Sequence, residues 1–395
     1  MEAIDARAPL RLSPWRLLGV AVVSQFGFSA ADQGVPLLAG FVKADLGLSS
    51  TIAGLAVSSV LFGKIFGSYL AGEAADRVGE RAVLIGGGLV ASVMILVGAA
   101  SPLGVLFPLL FFAGFAGAAS TPAGGRLILL AFPPERRGLA LGLRQTGIPA
   151  AGLAMALILP PIAHTAGWRW SIAAIAAIMA VSVVPLILTA APKTVRDVRN
   201  SPAGRHIATN PELRRLTAWN CLFVTGQFAV LAFLPLDIHQ RAGLSLPRAA
   251  LLVALAQVTG IAGRLFWGTV SDRSLSHGRR PLLLIVNVVG LASALALFIV
   301  PRTVPLGFTL FLAAFAGIGL IGYQSLWMTM VAETAGPDAV GAAMGFAVTF
   351  AFVAAALTPP LYGLAADLAG TYQAVWGVLS VALALAFIPA LRLRG

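Results

Sequence analysis

Five charged side chains interrupt the long apolar runs of this sequence, and they are the residues best placed to do chemistry. They are Asp32, Lys64, Arg126, Arg144 and Arg264. A charge deep in an apolar span costs a few kcal/mol, so such a group usually faces a cavity or pairs with an opposite charge. One acid among four bases favours a site for an anion, because bases hold anions through charge-assisted hydrogen bonds.

Lys64 and Arg264 occupy nearly equivalent places in two copies of a repeat. The similar segments that begin at Gly72 and Gly268 lie 196 residues apart. The same offset places Arg264 over position 68, which is one helical turn from Lys64 on the same helix face. We therefore predict that Lys64 and Arg264 face a central cavity from opposite sides and bind the substrate there.

Asp32 lies deep in the first apolar run, beside a polar stripe. Gln25, Ser29 and Asp32 are spaced four and three residues apart, so they share one face of a helix. A carboxyl group in apolar surroundings tends to hold a proton, because desolvation disfavours its charged form. The sequence leaves two roles open for Asp32: a proton-coupling group, or the partner of a nearby base.

Uncharged polar and aromatic residues extend the predicted cavity lining. Gln227, like Gln25, is followed by phenylalanine, and both are predicted to contact the substrate. Gln324 and Trp327 are three residues apart and share a helix face. Tyr323 and Trp327 could stack on a planar substrate, although aromatic packing between helices would explain them equally well.

Arg126 and Arg144 lie near the ends of their apolar runs, one at the end of the fourth and one at the start of the fifth. At such positions an arginine often extends to lipid phosphates or pairs with an acid at the membrane surface. We favour that interpretation for both residues, and a place in the cavity or at a gate is the alternative.

The elements that must position these residues are membrane-spanning helices. Hydrophobic residues make up 58% of the 395-residue chain and charged residues 11%, so a soluble protein is excluded. Apolar runs of about 20 residues can cross the roughly 30 Å hydrocarbon core of a bilayer. Twelve spans are predicted: 16–41, 50–71, 82–100, 105–131, 138–163, 168–190, 216–238, 246–270, 281–300, 305–332, 340–365 and 372–391.

The distribution of Lys and Arg predicts the orientation of these spans. The net charge of +12 does not indicate a nucleic-acid partner, because most bases lie in connectors on one side, which predicts cytoplasmic termini. The chain divides into a first bundle (1–190), a cytoplasmic linker (191–215) and a second bundle (216–395). Pro202 and Pro211 are expected to break any continuous helix in the linker.

Two charged turns mark the repeat. The first contains Gly72, Asp76, Arg77, Gly79 and Arg81, and the second contains Gly268, Asp272, Arg273, Gly278, Arg279 and Arg280. Both resemble the loop signature G-x-x-x-D-R-x-G-R-R of the major facilitator superfamily, with Glu80 departing at one basic position. The resemblance covers essentially the whole chain. It implies an all-α membrane protein of twelve transmembrane helices in two pseudo-symmetric six-helix bundles, which work by alternating access.

The two turns are interpreted as cytoplasmic gates. The glycines would let helices approach closely, and the acids could pair with arginines of the neighbouring half. Simple anchoring of the arginines at the inner membrane surface is the alternative. The predicted gate residues are Gly72, Asp76, Arg77, Arg81, Gly268, Asp272 and Arg273.

Two local resemblances indicate different substrates. The segment from Gly263 and Arg264 to Asp272 is similar to the eighth helix of monocarboxylate and oxalate transporters, in which this arginine binds the substrate carboxylate. Gly147, Pro149 and Gly152 partly resemble the glycine–proline motif of proton-coupled drug exporters. The arginine motif of those exporters is missing from the fourth span.

These observations predict a secondary transporter of a small organic anion, with a carboxylate as the expected class and protons as a candidate coupling ion. The alternative is a proton-coupled exporter of hydrophobic drugs or metabolites. A non-transporting receptor is disfavoured, because it would not need two preserved gates. We expect no enzymatic activity, cofactor or metal site. The expected setting is a monomer in a bacterial inner membrane, with the lipid bilayer and a small molecule as partners.

Overall fold

The computed structural model describes residues 13–189, 207–273, 278–301, 305–336 and 339–393, and these residues are almost entirely helical. Its helices in the first half of the chain are α1 (Pro14–Leu46), α2 (Ser50–Val78), α3 (Glu80–Ala100), α4 (Leu103–Gly117), α5 (Ser120–Ala131), α6 (Pro134–Gln145), α7 (Gly147–Thr165) and α8 (Trp168–Leu188). Those in the second half are α9 (Pro211–Ala242), α10 (Leu246–Arg273), α11 (Arg280–Ile299), α12 (Leu306–Ala316), α13 (Gln324–Ala335), α14 (Val340–Ala369), α15 (Gln373–Leu385) and α16 (Phe387–Leu391).

These helices form the twelve predicted spans. The fourth, fifth and twelfth spans each consist of two consecutive helices, and the tenth joins α12 to α13 through the π-helical segment Gly317–Ile321. Within the described residues, eleven helices are long and apolar enough to cross a membrane. The remaining span is α1, whose hydropathy is lowered by its polar stripe, including Gln25, Asp32 and Gln33.

The start of the second bundle differs from the sequence prediction. Pro211 does not break a helix but begins α9, which the Asn210 side chain caps by accepting from the backbone N–H of Glu212 and Leu213. Proline is tolerated at this position because the first N–H of a helix has no partner within the helix. Residues 211–215, predicted as linker, are therefore helical, while 190–206 lie outside the described residues.

The two ends of the helices define two faces of the molecule. The linker face carries the turns around Gly79 and Gly278, and the opposite face carries those around Gly47 and Gly243. Gly47 and Gly243 end α1 and α9 with φ values of 62° and 64°. Glycine adopts this left-handed conformation without steric cost, so the repeat preserves the same helix stop in both bundles.

Close helix packing occurs at other glycines than the sequence indicated. Gly63 and Gly67 lie against the backbone of Phe111 and Phe115, where a side chain would not fit. At Gly72 an added Cβ would meet only Pro122, at 3.9 Å. Gly268 likewise has ordinary contacts, so the prediction that the gate glycines mediate close approach is wrong for this conformation. The closest approach of α2 to α4 therefore lies roughly one and a half to two and a half helical turns before Gly72.

Candidate functional site

Asp32 and Lys64 form an ion pair inside the first bundle. Lys64 Nζ contacts Asp32 Oδ2, and the same ammonium group lies 5.8 Å from the ring centroid of Phe352 in the second bundle. Asp32 Oδ1 is buried and has no hydrogen-bond partner. Of the two roles left open for Asp32, the structure therefore contains the pairing with a nearby base. Lys64 is compensated within the protein and is not the free cation that the sequence predicted.

A polar cluster on the linker side of this pair forms what we call the first half-site: Gln25, Ser120 and Arg144. Ser120 Oγ donates to Gln25 Oε1 at 2.9 Å, and Arg144 Nη2 donates to the Ser120 carbonyl. Arg144 is only 4% exposed, and its Nε is buried without a partner. The prediction that Arg144 reaches lipid or a surface acid is therefore wrong, because the side chain turns into the bundle.

The second bundle contains a similar cluster, the second half-site: Gln227, Gln324 and Arg264. Gln324 Nε2 donates to Gln227 Oε1 at 3.2 Å. Arg264 Nε makes a long contact of 3.4 Å with the Ile321 carbonyl, and its Nη2 is buried without a partner. Gln25 therefore lies in one hydrogen-bonded cluster with an arginine, whereas Gln227 bonds Gln324, whose neighbour Ser325 donates to the Arg264 carbonyl.

A break in a helix positions each half-site. Ser120 begins α5 just after the α4–α5 break, and Gln324 begins α13 just after the π-helical segment. A π-helical segment changes the hydrogen-bonding register of a helix, and such segments are frequent at functional sites. The carbonyls of Ile318 and Ile321 accept from Trp267 and Arg264, so this segment holds Arg264 in place.

Charge compensation separates the four bases inside the spans into two groups. Lys64 pairs with a carboxylate, and Arg126 lies 3.3 Å from Glu80. Arg144 and Arg264 have no carboxylate partner among the described residues. The membrane-surface pairing favoured for Arg126 agrees with its position beside Glu80, whereas Arg144 and Arg264 retain uncompensated charge.

The predicted aromatic lining is packed inside the second bundle. Tyr323 is fully buried, with its ring centroid 4.6 Å from that of Phe223 and 5.5 Å from that of Trp219. Trp327 is 3% exposed and donates through Nε1 to the Leu216 carbonyl. The structure therefore agrees with the alternative explanation of these two residues, which is aromatic packing between helices. Neither ring can stack on a substrate in this conformation.

The linker face repeats one ion pair with its charges exchanged. In the first bundle the acid Glu80 begins α3 and the base Arg126 lies on α5. In the second bundle the base Arg279 precedes α11, and the acid Glu333 lies on α13, with 2.7 Å between Arg279 Nη2 and Glu333 Oε1. This exchange gives Glu80 a structural role at the position where it departs from the family signature.

The next arginine of each turn binds the end of its own bundle. Arg81 donates to the carbonyls of Leu186 and Ile187 at the end of α8, and Arg280 donates to the Leu391 carbonyl at the end of α16. Carbonyls in the last turn of a helix lack partners within the helix, and a cation there is favourable. These contacts anchor helices within a bundle and do not join the bundles.

The remaining predicted gate residues make few described contacts. Arg77 is exposed and pairs with Glu73 on its own helix. The side chains of Asp76, Asp272 and Arg273 lie outside the described residues. A gate that joins the two bundles at these turns stays a prediction.

The opposite face holds the two bundles together through a cluster that we call the opposite-face latch: Lys43, Ser50, Thr51, Asp367 and Tyr372. Asp367 accepts from the backbone N–H of Ser50 at 2.9 Å and of Thr51 at 2.8 Å, and from Thr51 Oγ1 at 2.7 Å. Lys43 Nζ donates to Tyr372 Oη at 2.7 Å. Asp367 thus caps α2 from the other bundle, where a negative charge is favourable.

Further bonds between the bundles lie below the latch. Ser58 Oγ donates to the Ala356 carbonyl, and Gln257 Nε2 donates to Gln33 Oε1 at 2.9 Å. At the linker face, the hydrogen bonds of Arg81 and Arg280 and the two ion pairs Arg126–Glu80 and Arg279–Glu333 each lie within one bundle. The bundles are therefore joined at the opposite face, and both half-sites lie on the linker side of that closure.

Neither the latch nor a role for Gln257 is predicted from the sequence. The latch joins residues more than 300 positions apart, and each is an ordinary polar residue at a span end. Gln257 could have been noticed as a polar residue inside the eighth span. Its partner across the interface, Gln33, was seen only as part of the stripe on α1.

We expect Asp367→Ala to open the opposite face. Hydrogen bonds to a charged group contribute about 1.5–3 kcal/mol each, so losing three should shift the conformational equilibrium by more than about tenfold. Spin labels on cysteines introduced at His164 and Leu306, in a Cys221→Ser background, would report longer distances. Asp45→Ala is the matched control, because Asp45 lies on the same face but bonds Trp168 within its own bundle. Equal distance distributions for Asp367→Ala and the parent would contradict the latch.

Comparison with known proteins identifies the family. The sequence profile of the Major Facilitator Superfamily matches residues 17–359. An MFS-type transporter of Mycobacterium tuberculosis is 29% identical over 357 residues, covering 87% of this chain and 76% of the relative. The gentisate transporter of Corynebacterium glutamicum is 25% identical over 80% of this chain and 73% of its own length.

A solved structure shares the fold. It is that of a bacterial homolog of the human lysosomal transporter Spinster, in an inward-facing conformation. The TM-score is 0.77 at 14% sequence identity, and the match covers 96% of this chain and 95% of that chain.

Proposed function

Because this chain belongs to the Major Facilitator Superfamily and is therefore a membrane transporter, we propose that its substrate is a small organic anion. The observation that carries the proposal is the state of Arg264. Its Nη2 is buried without a partner, and no described carboxylate compensates its charge. An uncompensated buried charge is costly, and an anionic substrate would remove that cost through charge-assisted hydrogen bonds.

The closure of the opposite face determines the side from which the substrate reaches the site. The substrate enters from the linker face, because the latch joins the bundles on the other side. Rocking of one bundle against the other would then break the latch and close the linker face around the substrate. The distribution of bases supports an orientation in which the linker face and both termini lie on the cytoplasmic side of a bacterial inner membrane. We expect the monomer to be the transporting unit.

Proton coupling is assigned to Asp32. Protonation of this carboxyl group would abolish its ion pair and release Lys64 to attract an anion. The buried and unpartnered Oδ1 atom of Asp32 supports this proposal, because the carboxylate is incompletely compensated. Release of the proton would restore the pair and with it the conformation described above.

One relative supports the substrate class. Gentisate, named for the transporter of Corynebacterium glutamicum, is an aromatic carboxylate. The drug-exporter alternative is supported in part by the glycine–proline element, and Gly152 of that element lies against the side chains of Gln33 and Gln257, which an added Cβ would displace. Close packing at the interface therefore explains that glycine without reference to a substrate.

Ligand-dependent stability of the purified protein tests the proposed function. We expect gentisate and other carboxylates to raise Tm, since a ligand at one hundred times its Kd stabilises a protein by about 2.7 kcal/mol. Uptake of the stabilising carboxylate into proteoliposomes should follow. Stabilisation by lipophilic cationic drugs alone, with no response to carboxylates, would favour the exporter and overturn the anion proposal.

A further inference from the structure

The interface between α7 and α10 allows the depths of the two half-sites to be compared. These helices are neighbours in opposite bundles, and they run in opposite directions between the two faces. They meet where Gly152 lies against the side chain of Gln257, with Gln33 completing the contact. This contact provides a common reference level for residues on both helices.

Arg144 and Arg264 lie at nearly the same depth below that level. Arg144 precedes Gly152 by eight residues, and Arg264 follows Gln257 by seven. At 1.5 Å per residue these separations correspond to about 12 Å and about 10 Å along the helices. Both arginines lie on the linker-face side of the contact, because the two helices are antiparallel. The two uncompensated arginines therefore lie at a similar level in the two bundles.

Their surroundings match as well as their depth. Each arginine donates to a backbone carbonyl of a broken span, Arg144 to Ser120 and Arg264 to Ile321. Each also has a buried nitrogen without a partner, Nε in Arg144 and Nη2 in Arg264. Buried donors are costly to leave unpaired, so an acceptor that reached either nitrogen would be stabilising.

We propose that Arg144 and Arg264 bind the two ends of one dianionic substrate, such as a dicarboxylate, with one carboxylate held by each bundle. The proposal deepens the proposed function and rests on it. A monoanion would compensate one arginine and leave the other uncompensated, whereas a dianion compensates both. In the ion-paired state described here, Asp32 and Lys64 neutralise each other and require no further anion.

A substrate held at both ends would also couple binding to movement. The two arginines belong to different bundles, so a ligand that binds both connects the bundles on the linker side of the latch. A dianion would supply that connection and favour the conformation in which the bundles approach. A ligand stabilises a conformation only by binding it more tightly, and two-ended binding provides that difference.

D-glucarate and D-gluconate provide a matched pair of probes, because they differ only at one terminal carbon, a carboxylate in the first and an alcohol in the second. We expect the purified full-length protein to bind D-glucarate about ten- to a hundredfold more tightly, as one further charge-assisted interaction would give. Calorimetric titration in detergent measures both Kd values. Equal affinity for the two acids would overturn the proposal.

Arg144→Gln should remove this preference. The Kd for D-glucarate should rise to that for D-gluconate, while the Kd for D-gluconate stays within about twofold, since one arginine suffices for one carboxylate. Arg136→Gln, on the exposed side of α6, is the matched control and should keep the preference. Arg144→Lys retains the charge without the planar fork and should give an intermediate ratio. If Arg144→Gln does not fold, an unchanged ratio in Arg144→Lys would count against the proposal.

Arg264→Gln distinguishes a site that binds anions through one arginine from a protein that has no anion site at these residues. If Arg264→Gln weakens both acids but Arg144→Gln leaves their affinity ratio unchanged, the site binds anions through one arginine and only the dianion proposal fails. If Arg264→Gln changes neither affinity, the anion site itself is wrong.

Discussion

Arg264→Gln should abolish carboxylate binding and uptake while the protein remains folded. Truncating one partner of a buried, hydrogen-bonded charge pair costs about 2–5 kcal/mol, so we expect affinity to fall by roughly thirtyfold to several thousandfold. The fold should survive, because glutamine retains a donor for the Ile321 carbonyl and removes an uncompensated charge. Thermal shift with gentisate and uptake into proteoliposomes measure the two effects.

Arg248→Gln is the control for this experiment. Arg248 lies on α10 like Arg264, but it is exposed near the opposite face, so the same change of charge should leave binding unaltered. A gentisate affinity that is unchanged in Arg264→Gln would rule out Arg264 as the substrate's charge partner.

Lys64→Met should cause the largest loss of stability. The substitution leaves the Asp32 carboxylate without its partner inside the bundle, and breaking a buried ion pair in this way costs about 3–5 kcal/mol. Methionine has a similar shape, so the loss of charge rather than a cavity dominates. The Tm in detergent should fall clearly in Lys64→Met and largely recover in the double variant Lys64→Met/Asp32→Asn. Equal Tm values for the two variants would contradict the pairing.

The single variant Asp32→Asn tests the proposed role of Asp32 in proton coupling. Asparagine imitates the protonated carboxyl group, so Lys64 would be released at every pH. We expect accumulation driven by a pH gradient to be lost in proteoliposomes, while exchange of substrate across the membrane continues. Asp45→Asn, near the opposite face, provides the same chemical change outside the proposed site. A wild-type pH dependence in Asp32→Asn would assign the coupling to another group.

The sequence was sufficient to predict the architecture, because the signals for it are local. A run of about 20 apolar residues has to be a helix in lipid, where each backbone group needs a partner within the segment. The repeat at Gly72 and Gly268 then indicated two bundles, and the same repeat preserves the helix stops at Gly47 and Gly243. The depth of Arg144 and Arg264 also followed from their positions within the spans.

The charge partners could not be derived in this way. The 196-residue offset places Lys64 and Arg264 one helical turn apart on the same helix face, yet Lys64 pairs with Asp32 and Arg264 has no described carboxylate. The repeat conserves the helix face but not the residue that the neighbouring helix presents to it. Arg144 similarly turns towards Ser120, although its distance from the end of the span allowed it to reach lipid.

The sequence by itself therefore determined the membrane environment, the twelve helices, the duplicated bundles and the depth of each charge, since these depend on helix periodicity and on the thickness of the bilayer. Only the tertiary structure decided which charges compensate each other, that Tyr323 and Trp327 are packed away, and that the latch joins the bundles at the opposite face. The physical reason is that periodicity specifies the face on which a side chain lies. Its partner depends on how neighbouring helices cross, and contacts hundreds of residues apart set that crossing.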